Sequence, residues 1–165
     1  MTRRVFYSFH YNPDNWRAAM VRNIGSIEGN SPASDNDWET VKKGGDAAIR
    51  KWIAKQMQYR SCTVVLVGSN TANRKWINHE IAKSWDDGMG VVGIHIHGLR
   101  DADGNTSARG ANPFDFITHG DSGKRLSSIV KCHLPGGSNS QEKYAWISKH
   151  LANAVEEAIK IRNHH

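Results

Sequence analysis

A chain of 165 residues is long enough to bury a substantial core, and the simplest division is one domain over 1–165. With 38% apolar residues, a mean hydropathy of −0.61 and no apolar run approaching the thickness of a bilayer, the composition excludes a helical membrane protein. The net charge of +6 is scattered over Arg3-Arg4, Lys42-Lys43, Arg74-Lys75 and Lys124-Arg125 without interleaved aromatics, so it favours an anionic small molecule as partner over nucleic acid.

The N-terminus leads into a strand rather than a signal-peptide core, which makes the cytoplasm the expected compartment. Residues 4–9 (RVFYSF) form that strand, and His10-Tyr11-Asn12-Pro13-Asp14 is expected to turn it into a helix over 15–23. Residues 24–45 are polar and rich in Gly, Ser, Asn and Asp, so a second strand there must be short or irregular. Over 46–59 the spacing of Ile49, Ile53 and Met57 predicts a helix, with Trp52 beside the stripe. Residues 62–67 (CTVVLV) are a continuous apolar, β-branched run of the kind buried on both faces of a parallel sheet. Gly68 to Thr71 break it, Asn73 is the expected cap of a helix starting at Arg74, and Ile77, Ile81 and Trp85 give that helix a narrow stripe flanked by Ser84. Glu80 lies at the edge of the stripe, one turn from Trp76, where a carboxylate is partly desolvated and can be aimed into a crevice.

A further strand is expected at 91–97 (VVGIHIH), a polar loop with three glycines at 98–112, a last strand at 127–134 and a long terminal helix over 140–162. Tyr144, Ile147, Leu151, Val155 and Ile159 line one face of that helix. Alternating strands and helices imply an α/β fold of the flavodoxin-like, three-layer type: a parallel sheet of about five strands in the order 2-1-3-4-5, with 62–67 in the middle. Such sheets bind ligands at the carboxyl ends of their strands, here Phe9-His10-Tyr11, Gly68-Ser69-Asn70 and His97-Gly98.

Several motifs mislead. Gly88 to Gly93 matches GxGxxG in letters, but it follows a helix and enters a strand, the reverse of a dinucleotide fingerprint. Gly120 to Lys124 resembles a phosphate loop, yet Thr118 replaces the first glycine and Arg125 the Ser/Thr, so a turn is expected. His95 and His97 have metal-ligand spacing without an assured third ligand, and the expectation is a pair of partly buried histidines and no metal. Cys62 and Cys132 read as buried thiols.

A helix glutamate taken bare is most often a solvated surface group. Here a strand, Ser69, Arg74-Lys75-Trp76 and Glu80-Ile81 follow one another, and this run resembles the hallmark segment of TIR domains, in which a Trp precedes the catalytic Glu by four residues. Val5 to Phe9 resembles their first strand. Phe9-His10-Tyr11, Asp35 with Trp38-Glu39, Gly93 to Ile96 and Gly110 to Asp115 resemble, more narrowly, the TIR-like family to which the sensor subunit of the Thoeris anti-phage system belongs. The likeness covers residues 4 to about 116; TIR domains in general have a clear second strand and an assembly loop, which 24–45 do not clearly carry.

The resemblance implies Glu80 as the catalytic residue, with Phe9, His10, Tyr11, Asp35, Ser69 and Trp76 contacting substrate, NAD as that substrate and no cofactor. For Asp35 and Trp38 a capped turn with a core-anchoring indole is an equal alternative, and Trp76 has a packing role beside any chemical one. One carboxylate is chemically sufficient. Glycosidases need two because the leaving oxygen must be protonated, whereas nicotinamide departs neutral from a cationic pyridinium and requires only that the ribosyl cation be steadied. The implied product is a cyclic ADP-ribose isomer that reaches a separate effector protein by diffusion, with self-association on activation. The alternative from another class is a non-catalytic adaptor that signals by assembly, and an adaptor has no need of the Trp-x-x-x-Glu spacing.

Overall fold

The computed structural model describes residues 3–25, 27–29 and 41–165, so Asp35, Trp38 and Glu39 lie outside the described residues. Five strands form one parallel sheet: β1 (Arg4–Ser8), β2 (Glu28–Gly29), β3 (Cys62–Val67), β4 (Gly90–His95) and, beyond a two-strand antiparallel ribbon of β5 (Thr118–His119) and β6 (Lys124–Arg125), β7 (Cys132–His133). Their spatial order is β2-β1-β3-β4-β7, the expected order with β3 in the middle and β1 inside the sheet. All neighbours are parallel, with Val5 opposite Cys62, Ser8 opposite Val65 and Val67 opposite His95. The second strand is two residues long, as its polar composition implied.

Alternation along the central strands sends side chains to two layers of helices. Val5, Tyr7, Val64, Leu66, Val92 and Ile94 pack with α1 (Tyr11–Arg22) and with Ile147, Leu151 and Val155 of the terminal helix α4 (Ser140–Asn163). On the other face Phe6 meets Ile49, Ile53 and Met57 of α2 (Gly45–Met57), while Val65, Val67 and Val91 meet Ile77, Ile81 and Trp85 of α3 (Lys75–Asp86). The stripes expected on these three helices are therefore the buried ones. Gly88, with φ of 81°, follows α3 in a left-handed conformation, so the GxGxxG look-alike is a helix stop. Among the described residues no helix is long and apolar enough to cross a membrane, and Cys62 and Cys132 are free thiols.

Four boundaries differ from expectation. The first helix starts at Tyr11, not 15: Pro13 sits in its first turn, where the missing N–H needs no partner, and Asp14 N already donates to His10 O at 3.2 Å. Asn73 does not cap α3; it takes a left-handed φ of 60° and Arg74 is the extended residue before the helix, while Asn73 Oδ1 accepts from Asn78 Nδ2. The strand expected over 127–134 is reduced to Cys132–His133, because Ser128 Oγ donates to Arg125 O and both Ile129 N and Val130 N donate to Leu126 O, winding the segment into a 3₁₀ turn. β4 likewise stops at His95: Ile96 N still bonds Val67 O, and then Leu99 N closes a turn onto Ile96 O that carries His97 off the sheet.

Candidate active site

β1 and β3 bring the start of α1 and the start of α3 together at the carboxyl edge of the sheet. Between them and α2 lies a pocket of about 450 Å³. Its walls are aromatic: Phe6 and Phe9 from β1 and its end, Tyr11 at the first turn of α1, Trp52 on α2 and Trp76 on α3. Phe9 and Tyr11 lie 6.2 Å apart as tilted rings. Lys42, Arg74 and Lys75 add a cationic rim, and Lys75 is ion-paired to Asp46 of α2. Apolar walls with a few convergent polar groups are what a small-molecule site requires.

Among the described residues Glu80 is the acidic group of this pocket. It is more deeply placed than an edge position suggests, at 8% exposure. Its Oε1 accepts a 2.7 Å hydrogen bond from Ser8 Oγ, and among the described residues no cation is bonded to it. Burial pushes the Glu80 carboxyl up to about 8, and the Ser8 hydroxyl pulls the other way. The group is thus largely neutral at pH 7 in the empty pocket, and a positive charge placed beside it favours the carboxylate. Its backbone is fixed from below: Ser84 Oγ donates to Glu80 O at 2.7 Å and lies 2.6 Å from Thr63 Oγ1 of β3.

His10 ends the strand side of the pocket, with its Nδ1 buried and unbonded among the described residues. Burial and then Arg74 lower its pKa, so the ring enters the site uncharged. Trp76 presents an indole flanked by the Lys75 ammonium at 5.0 Å and the Arg50 guanidinium at 5.9 Å from its centroid.

Of the residues singled out by sequence, Phe9, His10, Tyr11, Trp76 and Glu80 meet around this one pocket. Ser69 is not among the lining residues; it lies in the turn after β3, where the backbone of Gly110 covers it. Ser8, Trp52, Lys42 and Arg74 were not anticipated as site residues. For Ser8 the available signal was parity: with Val5 and Tyr7 facing one layer, Phe6 and Ser8 must face α2 and α3. For Trp52 it was adjacency to Ile53 at the edge of the buried stripe.

Comparison with known proteins identifies the family. The family model described as "Thoeris protein ThsB, TIR-like domain" matches residues 6–101, a span that runs from β1 through β4 and includes Ser8, Trp76 and Glu80. A relative from Bacillus cereus (strain MSX-D12), named "Putative cyclic ADP-D-ribose synthase ThsB1", is 38% identical over 133 residues, covering 76% of this chain and 69% of the relative. A parallel sheet in the order 2-1-3-4 with its fifth strand at the far edge, a buried Glu80 on the helix after the central strand, and these two matches give one conclusion: the chain belongs to the Thoeris protein ThsB family, with its TIR-like domain.

Proposed function

We propose that the chain cleaves NAD at the bond between nicotinamide and ribose and closes the remaining ADP-ribose into a cyclic isomer, which serves as a diffusible signal to a separate effector in anti-phage defence. The observation that carries this reading is a buried Glu80, held among the described residues by Ser8 alone, on the wall of an aromatic pocket rimmed by Lys42, Arg74 and Lys75. The printed name of the Bacillus cereus relative supports the product class.

The chemistry follows from the charges. The pyridinium of NAD brings the positive charge that Glu80 lacks, and its approach favours the carboxylate over the neutral acid. As the glycosidic C–N bond breaks, its electron pair leaves with nicotinamide, which departs neutral and needs no proton. The cation passes to the ribose, where the Glu80 carboxylate stabilises it. Trp76, Phe9 and Tyr11 offer ring faces for the two planar bases, and the cationic rim suits the diphosphate between them. Ring closure then requires that a nucleophile of the same molecule reach the ribosyl carbon before water does, which the apolar walls favour.

Mass spectrometry of NAD incubated with the protein, with and without lysate from infected cells, tests this reading. The expected result is nicotinamide plus an isomer of cyclic ADP-ribose, lost in Glu80→Gln. Unchanged turnover in that variant would take the catalytic role away from Glu80, and no turnover by the parent protein under either condition would move the assignment to a non-catalytic adaptor. Slow turnover by the isolated protein, raised by the trigger or by self-association, is the expected basal behaviour of an enzyme that consumes a central metabolite.

A further inference from the structure

A second group of polar side chains lies at the carboxyl end of β4. His95 is 4% exposed, His97 follows it two residues on, and their rings meet edge to face at 5.6 Å. Ser107 is held beside them, since its N donates to His97 O at 2.9 Å. The Nδ1 atoms of both histidines and Ser107 Oγ are all buried, and none has a hydrogen-bond partner among the described residues. One orphaned buried polar atom costs about 1–3 kcal/mol, so three in one place call for a shared occupant.

The surrounding charge says which kind. Arg109, two residues beyond Ser107, is exposed and makes no ion pair among the described residues, yet its charge reaches both imidazoles and the Cys132 thiol. Lys143 of α4 also acts on His97, while its ammonium is bonded to Pro135 O and Gly137 O. Among the described residues no carboxylate opposes these cations at either ring. A metal ion would be repelled there, and no group of three metal-ligating side chains is present among the described residues. An anion instead suits the donors these residues carry: two imidazole N–H groups in the Nδ1 tautomer, one hydroxyl and the guanidinium fork of Arg109. A carboxylate and a phosphoryl group both match the fork bidentately, but only the phosphoryl group keeps a third oxygen for the imidazoles and the hydroxyl.

We propose that His95, His97, Ser107 and Arg109 form a phosphoryl-binding cradle, distinct from the Glu80 pocket. None of the four lines that pocket. The cradle is nevertheless connected to it. Gly110 lies so close over the turn after β3 that a Cβ there would stand 2.1 Å from Gly68 O, and that turn leads to Arg74, Trp76 and Glu80. A phosphoryl group bound by Ser107 and Arg109 clamps the segment 107–110 across the turn. The phosphoryl group comes either from free phosphate or from the diphosphate of a nucleotide.

The test reads binding and needs no turnover, so its failure is separate from failure of the NAD reading. The full chain with ¹³C-labelled histidine rings is titrated with inorganic phosphate at constant ionic strength, and then with ADP-ribose. Saturable shifts of the His95 and His97 rings, with His119 unmoved, are the expected result. Arg109→Gln should weaken binding about tenfold or more, and Arg109→Lys, which keeps the charge but not the fork, should weaken it as well. Because Arg109 is exposed the variants are expected to fold; Ser107→Ala, with a several-fold loss, is the second probe. Tighter binding of ADP-ribose than of phosphate at these two rings identifies a nucleotide source, and equal binding identifies free phosphate. ADP-ribose in the Glu80 pocket moves His10 instead. Shifts that never saturate, that follow ionic strength with any anion, or that persist in Arg109→Gln overturn the proposal, as does the absence of any shift, which leaves ordered water as the occupant.

Discussion

Among the described residues two carboxylates, Asp14 and Glu80, are buried near the carboxyl edge of the sheet, and they are treated in opposite ways. Asp14, at 1% exposure on α1, receives Arg17 Nη1 at 3.0 Å, and the same guanidinium reaches Leu99 O and Asn105 O at 2.7 and 2.9 Å. Glu80, at 8% exposure on α3, receives one serine hydroxyl and faces a cavity. Burial pushes both pKa values up, and in both the bonded partner pulls down. The difference is that the cation beside Asp14 is built in, whereas the place beside Glu80 is left for a ligand. A neutralised carboxylate ties the loop 99–105 to α1; an unneutralised one is a reagent in waiting.

The largest expected effect is on the Asp14 side. Arg17→Met removes the only cation bonded to Asp14 among the described residues and frees two loop carbonyls, and should destabilise the fold by about 3–5 kcal/mol in urea or guanidinium titrations. A loss below about 1 kcal/mol would remove the contrast between the two acids. Next comes Glu80→Gln, which leaves volume almost unchanged. It should fold, retain NAD binding and lose nicotinamide release by about 10²-fold or more.

How much of this was legible before the structure depended on distance along the chain. The central strand, the turn and α3 were legible because Cys62 to Val67 and the Ile77-Ile81-Trp85 stripe each carry a complete local period. The strand order followed from alternation of elements. The Ser8–Glu80 bond was not legible from local pattern, since it joins residues 72 apart and needs the β1–β3 register before it can be drawn. Asp14 looked like a turn residue because Pro13 suggests one, and Arg17 carried no signal until Leu99 and Asn105 were folded over it. The 3₁₀ turn at Leu126–Ser128 was missed because the Ser128 hydroxyl takes the local carbonyl of Arg125 while the Ser127 hydroxyl bonds the Asp115 carboxylate, contacts that compete with the sheet.

Protonation sharpens the comparison further. With a pKa near 8, free Glu80 is in its minor, ionised form at pH 6 and 7, so kcat/KM for NAD should rise with pH, about tenfold per unit well below 8, and level above it. Stability runs the other way. Glu80 is protonated in both folded and unfolded chains below its ordinary 4.5, so its contribution is complete there; between 4.5 and about 8 only the folded chain keeps the proton, and stability is lost as pH rises. The slope is at most about 1.4 kcal/mol per pH unit, and Glu80→Gln should abolish it, becoming the more stable protein at pH 8. Equal pH profiles for the two proteins in denaturant titrations would place Glu80 in water, not in the core.

The smallest effect belongs to Ser8→Ala. Losing one hydrogen bond of this kind costs about 1 kcal/mol, and since the hydroxyl favours the carboxylate, its removal should raise the Glu80 pKa further. The expected outcome is a several-fold fall in kcat/KM at pH 7 that recovers at pH 9. A loss independent of pH would mean that Ser8 serves packing and not protonation.

The fastening of α3 decides how a ligand enters. The helix is held at its start by Lys75 on Asp46, in its middle by Ser84 on Thr63, and at its end by Arg162, whose Nε donates to Trp85 O at 2.9 Å while its guanidinium covers the Trp85 ring at 4.6 Å. A helix pinned at three points to α2, β3 and α4 is an anvil and not a hinge. The freedom to admit a ligand is therefore expected in the other walls, among them the short junction Phe9-His10 between β1 and α1.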